Sequence, residues 1–169
     1  SGSAAAMVST LMSSKVPEKI ERIGTTAMGG AMQTICCFGG ADRIVFGPDM
    51  QKSAPLLVKM FPQIAEVPNA GTFDDINVET IAAADPDFAL VSSTSDEGNA
   101  QIEELGIPTY VMPTANASVE NLRRDYLNIS ILLDNMALGE KYVEFWDSIM
   151  DYVTSTAGTL AEDEKLTVY

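Results

Sequence analysis

The groups in this sequence whose types and spacing suit chemistry are few. They are the hydroxyl run Ser92, Ser93, Thr94 and Ser95, the carboxylate pair Asp74 and Asp75, and the adjacent thiols Cys36 and Cys37. A hydroxyl nucleophile needs a base beside it, and the 169 residues contain no histidine. Most hydrolase and zinc-enzyme readings fail on that ground. Paired carboxylates can hold a hard cation or share a proton, but no further acids follow Asp74 and Asp75 at calcium-loop spacing. Adjacent cysteines rarely bridge one another, and two thiols inside an apolar run are expected to pack, with a redox role as the alternative. The glycines of "MGG" and "FGG" lack the Gly-x-Gly-x-x-Gly spacing of a dinucleotide site and are expected to serve a tight turn and a helix end. No catalytic residue, metal ligand or cofactor is assigned.

Charge narrows the partners. Ten Lys and Arg face 24 Asp and Glu, a formal charge of −14 with a pI near 4.1. Phosphate backbones and anionic membrane faces are repelled, so nucleic acid is not expected as a partner. No run reaches the roughly 18 apolar residues of a membrane span. The opening "SGSAAAMVSTLMSS" has no basic start and a diluted apolar centre, so it reads as a flexible leader or an expression remnant over 1–15 rather than a signal peptide.

The elements that must position these groups alternate in type. "IERIGTTAM" (Ile20 to Met28) predicts a strand, and a helix follows with Met32, Ile35 and Cys36 on one face and paired glycines at either side. "RIVFG" predicts a second strand. "PDMQKSAPLLVKMFP" carries a helical turn or two, interrupted by Pro55 and stopped by Pro62. "VPNAGTFDD" reads as a loop. Asn77 then caps a helix over Glu79 to Ala84, and Phe88 to Ser92 predicts a strand buried on both faces. "DEGNAQIEELG" predicts a helix with Ile102 and Leu105 inward and Gly106 at its end, and "IPTYVMPT" a further strand. Two long helices follow, with Gly139 as the expected break between them, and "LTVY" reads as the start of a new strand. Strands separated by helices predict an α/β fold with a mainly parallel sheet covered on both faces.

"VPEKIERIGTTAM", "FGGADRIVFG", "NVETIAAADPDFALV" and "ELGIPTYVMPT", in that order, resemble phrases of the substrate-binding proteins of ABC importers for ferric siderophores, haem and cobalamin. The resemblance covers roughly Val16 to Tyr169 and no single phrase is specific. It implies a Rossmann-like N-terminal α/β ligand-binding lobe over 16–138, a long interlobe helix over 139–160, and the first strand of a truncated second lobe over 161–169. It implies a monomeric, extracytoplasmic receptor, periplasmic or lipid-anchored on the outer face of the membrane. Such a receptor captures a metal chelate, haem or corrinoid between two lobes and delivers it to an ABC permease.

In open α/β sheets ligands sit outside the carboxyl ends of the strands. The corresponding loops here are Thr25 to Gly30, Gly47 to Gln51, Ala70 to Asp75, Ser92 to Gly98 and Pro113 to Asn116. The expected ligand contacts are Met28, Met50, Phe73, Ser93 and Thr94. Each has a plainer reading: core filling for the methionines, a ring folded onto the core for Phe73. By resemblance Glu79 is the acidic residue that docks on a permease arginine, the plain alternative being a solvated first-turn glutamate. The cleft loops contain no arginine, and Lys52 is the nearby cation, which favours haem, a corrinoid or a neutral chelate over a strongly anionic ligand. Two further readings stay open. One is a flavodoxin-like signalling or enzymatic domain using Asp74, Asp75 and Ser92 to Ser95 as a phosphoacceptor-like site, and the other is a cytoplasmic metallocofactor-assembly protein.

Overall fold

The computed structural model describes residues 16–28, 30–112, 118–161 and Glu164. The leader, the loop Pro113 to Asn116, the "LTVY" ending and Gly29 lie outside the described residues.

Four parallel strands form the sheet: β1 (Ile23–Thr25), β2 (Ile44–Phe46), β5 (Phe88–Ser92) and β6 (Thr109–Met112), side by side in the order β2, β1, β5, β6. The expected strand over Ile20 to Met28 is thus confined to its middle. At its start the Asp87 carboxylate accepts the N–H groups of Glu21 and Arg22 at 2.8 and 3.2 Å, taking donors a ladder would use. At its end Thr25 Oγ1 accepts the Ala27 N–H at 3.0 Å and turns the chain.

The crossovers are helical. Helix α1 (Ala31–Cys37) joins β1 to β2, α4 (Val78–Ala83) precedes β5, and α5 (Asp96–Glu104) joins β5 to β6. Between β2 and α4 run α2 (Met50–Ser53), α3 (Pro55–Met60) and a 3-10 turn, Pro62–Glu66. Pro62 therefore ends an α-helix but starts a tighter turn, since the first position of a helix needs no N–H. The stretch expected to be all loop contains a small antiparallel hairpin, β3 (Gly71–Thr72) and β4 (Asp75–Ile76), with Phe73 at φ 55 in its tip. After β6 come α6 (Val119–Leu132) and α7 (Met136–Ala157).

Burial alternates along β5. Phe88 and Leu90 enter one apolar cluster with Ile23, Met32, Ile35, Phe38, Tyr110 and Ile129. Ala89 and Val91 enter another with Phe46, Ile81, Ile102 and Ile107. A strand buried on both faces needs such an unbroken apolar run.

Two further expectations fail. Leu105 is 39% exposed, because α5 stops at Glu104 and the chain turns through Gly106 at φ 77, so that Ile107 occupies the core position instead. Gly139 does not break the helical run. The break is at Leu133 to Asn135, where Asp134 takes φ 60 and Asn135 Nδ2 donates to the Phe38 carbonyl at 3.0 Å. Gly139 lies inside α7, buried over Ser130 of α6. Among the described residues no helix is long and apolar enough to cross a membrane.

Candidate functional site

The order β2, β1, β5, β6 has a switch point between β1 and β5. The chain leaves β1 towards β2 on one side and later returns to β5 on the other, which opens a crevice at the carboxyl ends of both strands. Three of the expected loops meet there. The Phe73 N–H donates to the Thr26 carbonyl at 2.9 Å, fastening the hairpin tip to the loop after β1. Asp74 Oδ1 accepts the Gly98 N–H at 2.9 Å, fastening the same tip to the first turn of α5. A side chain at Gly98 would collide with the Phe73 carbonyl oxygen, so the close approach of hairpin and helix requires glycine.

The hydroxyl run is organised by its own bonds. Ser92 Oγ and Thr94 Oγ1 lie 2.8 Å apart, and the Thr94 N–H donates to Ser92 Oγ at 3.2 Å. Asn99 Nδ2 reaches back to the Ser92 carbonyl at 2.8 Å, and the Ser93 N–H bonds the Met112 carbonyl at 2.9 Å at the end of β6. This leaves Ser93 and Thr94 exposed on the crevice wall while Ser92 and Ser95 are buried. Two hydroxyls at the switch point, Thr26 Oγ1 and Ser95 Oγ, are fully buried without a hydrogen-bond partner. Sequence reading named Ser95 only as part of its hydroxyl run and did not single out Thr26, since nothing local distinguishes the two from their bonded neighbours Thr25 and Ser92.

Met28 and Met50 come together in a hollow of about 50 Å³ with Ala27, Met32 and Pro48. Met50 is only 5% exposed and its sulfur accepts from Ser53 Oγ at 3.7 Å, so it belongs to the hollow's floor, whereas Met28 is half-buried at the rim. Phe73 is half-buried at the hairpin tip. Glu79 is exposed in the first turn of α4, which Asn77 caps by accepting the Thr80 N–H at 2.8 Å. It flanks a separate open depression with Asn69, Asp75 and Asn77, whose lining includes neither methionine.

The four described crevice loops carry Asp49, Asp74, Asp75, Asp96 and Glu97 but no lysine or arginine; Lys52 is exposed just beyond them on α2. The edge is therefore electronegative. Asp74 spends an oxygen on Gly98, and among the described residues no three acidic or thiol groups converge as metal ligands. The thiols sit on α1, with Cys36 buried and pushed up to about 12 by desolvation and Cys37 exposed. The arrangement suits binding by hydrogen bonds and apolar contact better than nucleophilic chemistry.

Residues 24–169 match the family model described as periplasmic binding protein. A search of the curated proteins found no match by sequence. Among solved structures the chain is similar to MolA, the molybdate periplasmic binding protein of Haemophilus influenzae, at 16% identity and a TM-score of 0.78, over 90% of this chain and 53% of that one. It is similar to PiuA, an iron uptake ABC transporter substrate-binding protein of Streptococcus pneumoniae, at 22% identity and a TM-score of 0.71, over 86% and 50%. It is similar also to BtuF, the periplasmic vitamin B12 binding protein of Vibrio cholerae, at 18% identity and a TM-score of 0.67, over 85% and 53%. At these identities the likeness is one of fold. The chain spans about half the length of each of these structures.

Proposed function

We propose a function from one premise: this chain belongs to the periplasmic binding protein family. It is the solute-binding part of an ABC importer, without enzymatic activity, and it works outside the cytoplasm. Its crevice supplies one wall of a ligand site whose other wall comes from further chain, as the doubled length of the structural relatives suggests. The observation that carries this reading is the meeting of the β1 loop, the hairpin tip and the β5 loop at the switch point, held by Phe73 to Thr26 and Asp74 to Gly98.

The ligand class follows from the chemistry of that wall. An electronegative edge without arginine disfavours an oxyanion such as the molybdate bound by MolA, and favours a haem, a corrinoid or a chelate of low negative charge. Met28, Phe73, Ser93 and Thr94 are the contacts, with Met50 supporting Met28 from below. Glu79, which does not line the methionine hollow, is the contact to the permease.

The test is to pass the longest natural form of the protein over gel filtration with haem, cobalamin and ferric siderophores in turn. One pigment co-eluting at unit stoichiometry is expected. Loss of every pigment from the protein peak overturns the chelate reading.

A further inference from the structure

A second cavity lies beside the methionine hollow, with which it shares Gly30 and Gln33, between α1, α6 and α7. Its volume is about 120 Å³, and its wall includes Thr34, Cys37, Phe38, Asp125, Tyr126 and Tyr142. The three rings pack edge to face, with centroids 4.8 Å apart for Tyr126 and Tyr142, 5.7 Å for Phe38 and Tyr142 and 6.4 Å for Phe38 and Tyr126. Each edge-to-face contact occupies only one of the two faces of one ring, and all three residues also border the cavity.

Asp125 is the anomaly in this apolar wall. It is 3% exposed, and a buried carboxylate is costly unless its charge is met. Oδ1 is well served: Tyr110 donates its hydroxyl at 2.7 Å and Arg124 Nη2 approaches at 3.3 Å. Asn128 Nδ2 donates to the Tyr110 oxygen at 3.0 Å, which fixes the direction of the Tyr110 proton towards Asp125. No described residue donates to Oδ2. Burial raises the Asp125 carboxyl above its ordinary value despite Tyr110 and Arg124, so the partners present do not offset the desolvation of its charge. Neither the crevice nor the docking residue uses this group.

We propose that this cavity is a binding site for a small alkylammonium ion, held by the Asp125 carboxylate and ringed by Phe38, Tyr126 and Tyr142. The carboxylate excludes anions. Three rings in the wall favour a cation with alkyl surface over a bare metal ion, since ring faces attract cations and the alkyl groups keep apolar contact. A dry cavity of about 150 Å³ admits benzene, so the smaller space here takes roughly five non-hydrogen atoms. The site borders the crevice at Gly30, but its test uses no chelate, so the chelate reading would survive its failure.

The test titrates the whole chain with tetramethylammonium chloride against matched sodium chloride, following the tyrosine ring resonances by NMR. Tert-butanol, of nearly the same shape and no charge, is the control. Saturable shifts with the cation and none with the alcohol over the same range are expected. In Asp125→Asn, which keeps an acceptor for Tyr110, the cation should bind at least about tenfold more weakly. Equal binding of the alcohol, or an affinity in D125N within about twofold of wild type, overturns the proposal. If D125N does not fold, Tyr142→Leu decides: it removes a ring while keeping an apolar residue, and unchanged affinity there overturns the proposal as well.

Discussion

Gly98 donates its backbone N–H to Asp74 Oδ1 at 2.9 Å, across 24 residues, and this bond seats the hairpin tip on the first turn of α5. Helix N-termini present free N–H groups, and here one of them is used to build the crevice rather than left for a ligand. Asp74→Ala should cost about 1 kcal/mol and accelerate hydrogen exchange at Phe73 and Gly98. Gly98→Ala should cost more, about 1–3 kcal/mol, because its Cβ meets the Phe73 carbonyl, which cannot move without the hairpin. Urea denaturation of both variants checks the order. A G98A as stable as D74A would mean that the hairpin is not held against α5 in solution.

A second close approach joins α6 and α7. A Cβ at Gly139 would overlap the Cβ and Oγ of Ser130, which is fully buried and donates to the Leu127 carbonyl at 2.8 Å. Gly139→Ala is expected to lose about 1–3 kcal/mol. Because the clash includes the Ser130 Cβ, S130A should not relieve it while S130G should recover part of it. A double-mutant cycle reads this directly. Additive effects of G139A and S130G would contradict the packing.

Strand β5 was legible because Phe88, Ala89, Leu90 and Val91 form an apolar run, and an element buried on both faces shows itself without neighbours. The helix start at Asn77 was readable for the local reason that a capping side chain serves its own first turn. Leu105 misled because its helical spacing is right, yet the helix ends one residue earlier and Ile107 takes the core place. The hairpin was not legible, since each of its strands is two residues long and its tip places a phenylalanine at positive φ, where a bulky side chain is unusual. The Asp125 cavity could not be read at all. Phe38, Asp125 and Tyr142 are far apart in sequence, and only the stacking of α1, α6 and α7 brings them together.

The two thiols should separate chemically. Cys36 is 2% exposed and its pKa is pushed up to about 12, chiefly by burial, while Cys37 next to it is exposed with a smaller rise from the same cause. Thiolate, not thiol, attacks alkylating agents. Iodoacetamide at about pH 8 should add one label to the native chain, at Cys37, and a second only in denaturant. Intact mass with and without guanidinium counts the labels. Two labels in the native state would show that α1 opens.

Glu79 tests the docking part of the proposed function. Its exposure and its absence from the lining of the methionine hollow predict that charge reversal acts on delivery and not on capture. Glu79→Arg should leave ligand affinity within about twofold while cellular uptake falls tenfold or so, the usual pattern for a charge that orients an encounter. Loss of ligand affinity in E79R would place the residue in the binding wall and remove the docking role.

The pH dependence of stability isolates Asp125. Its carboxyl lies above the ordinary 3.8 in the folded chain, first through desolvation, with the bonds to Tyr110 and Arg124 opposing the rise. A raised carboxyl means that the folded state holds the proton more tightly than the unfolded state does. Its contribution to stability is therefore fully present below pH 3.8 and fades as pH rises through the folded value, the reverse of an ordinary ion-paired aspartate. Other carboxylates titrate in the same range, so the readable quantity is the difference between wild type and Asp125→Asn. Urea midpoints measured from about pH 7 downwards should show wild type gaining on D125N as the medium is acidified. A difference that moves the other way would mean that Arg124 holds the carboxylate ionised, and a flat difference would mean that Asp125 is wetter than its 3% exposure indicates.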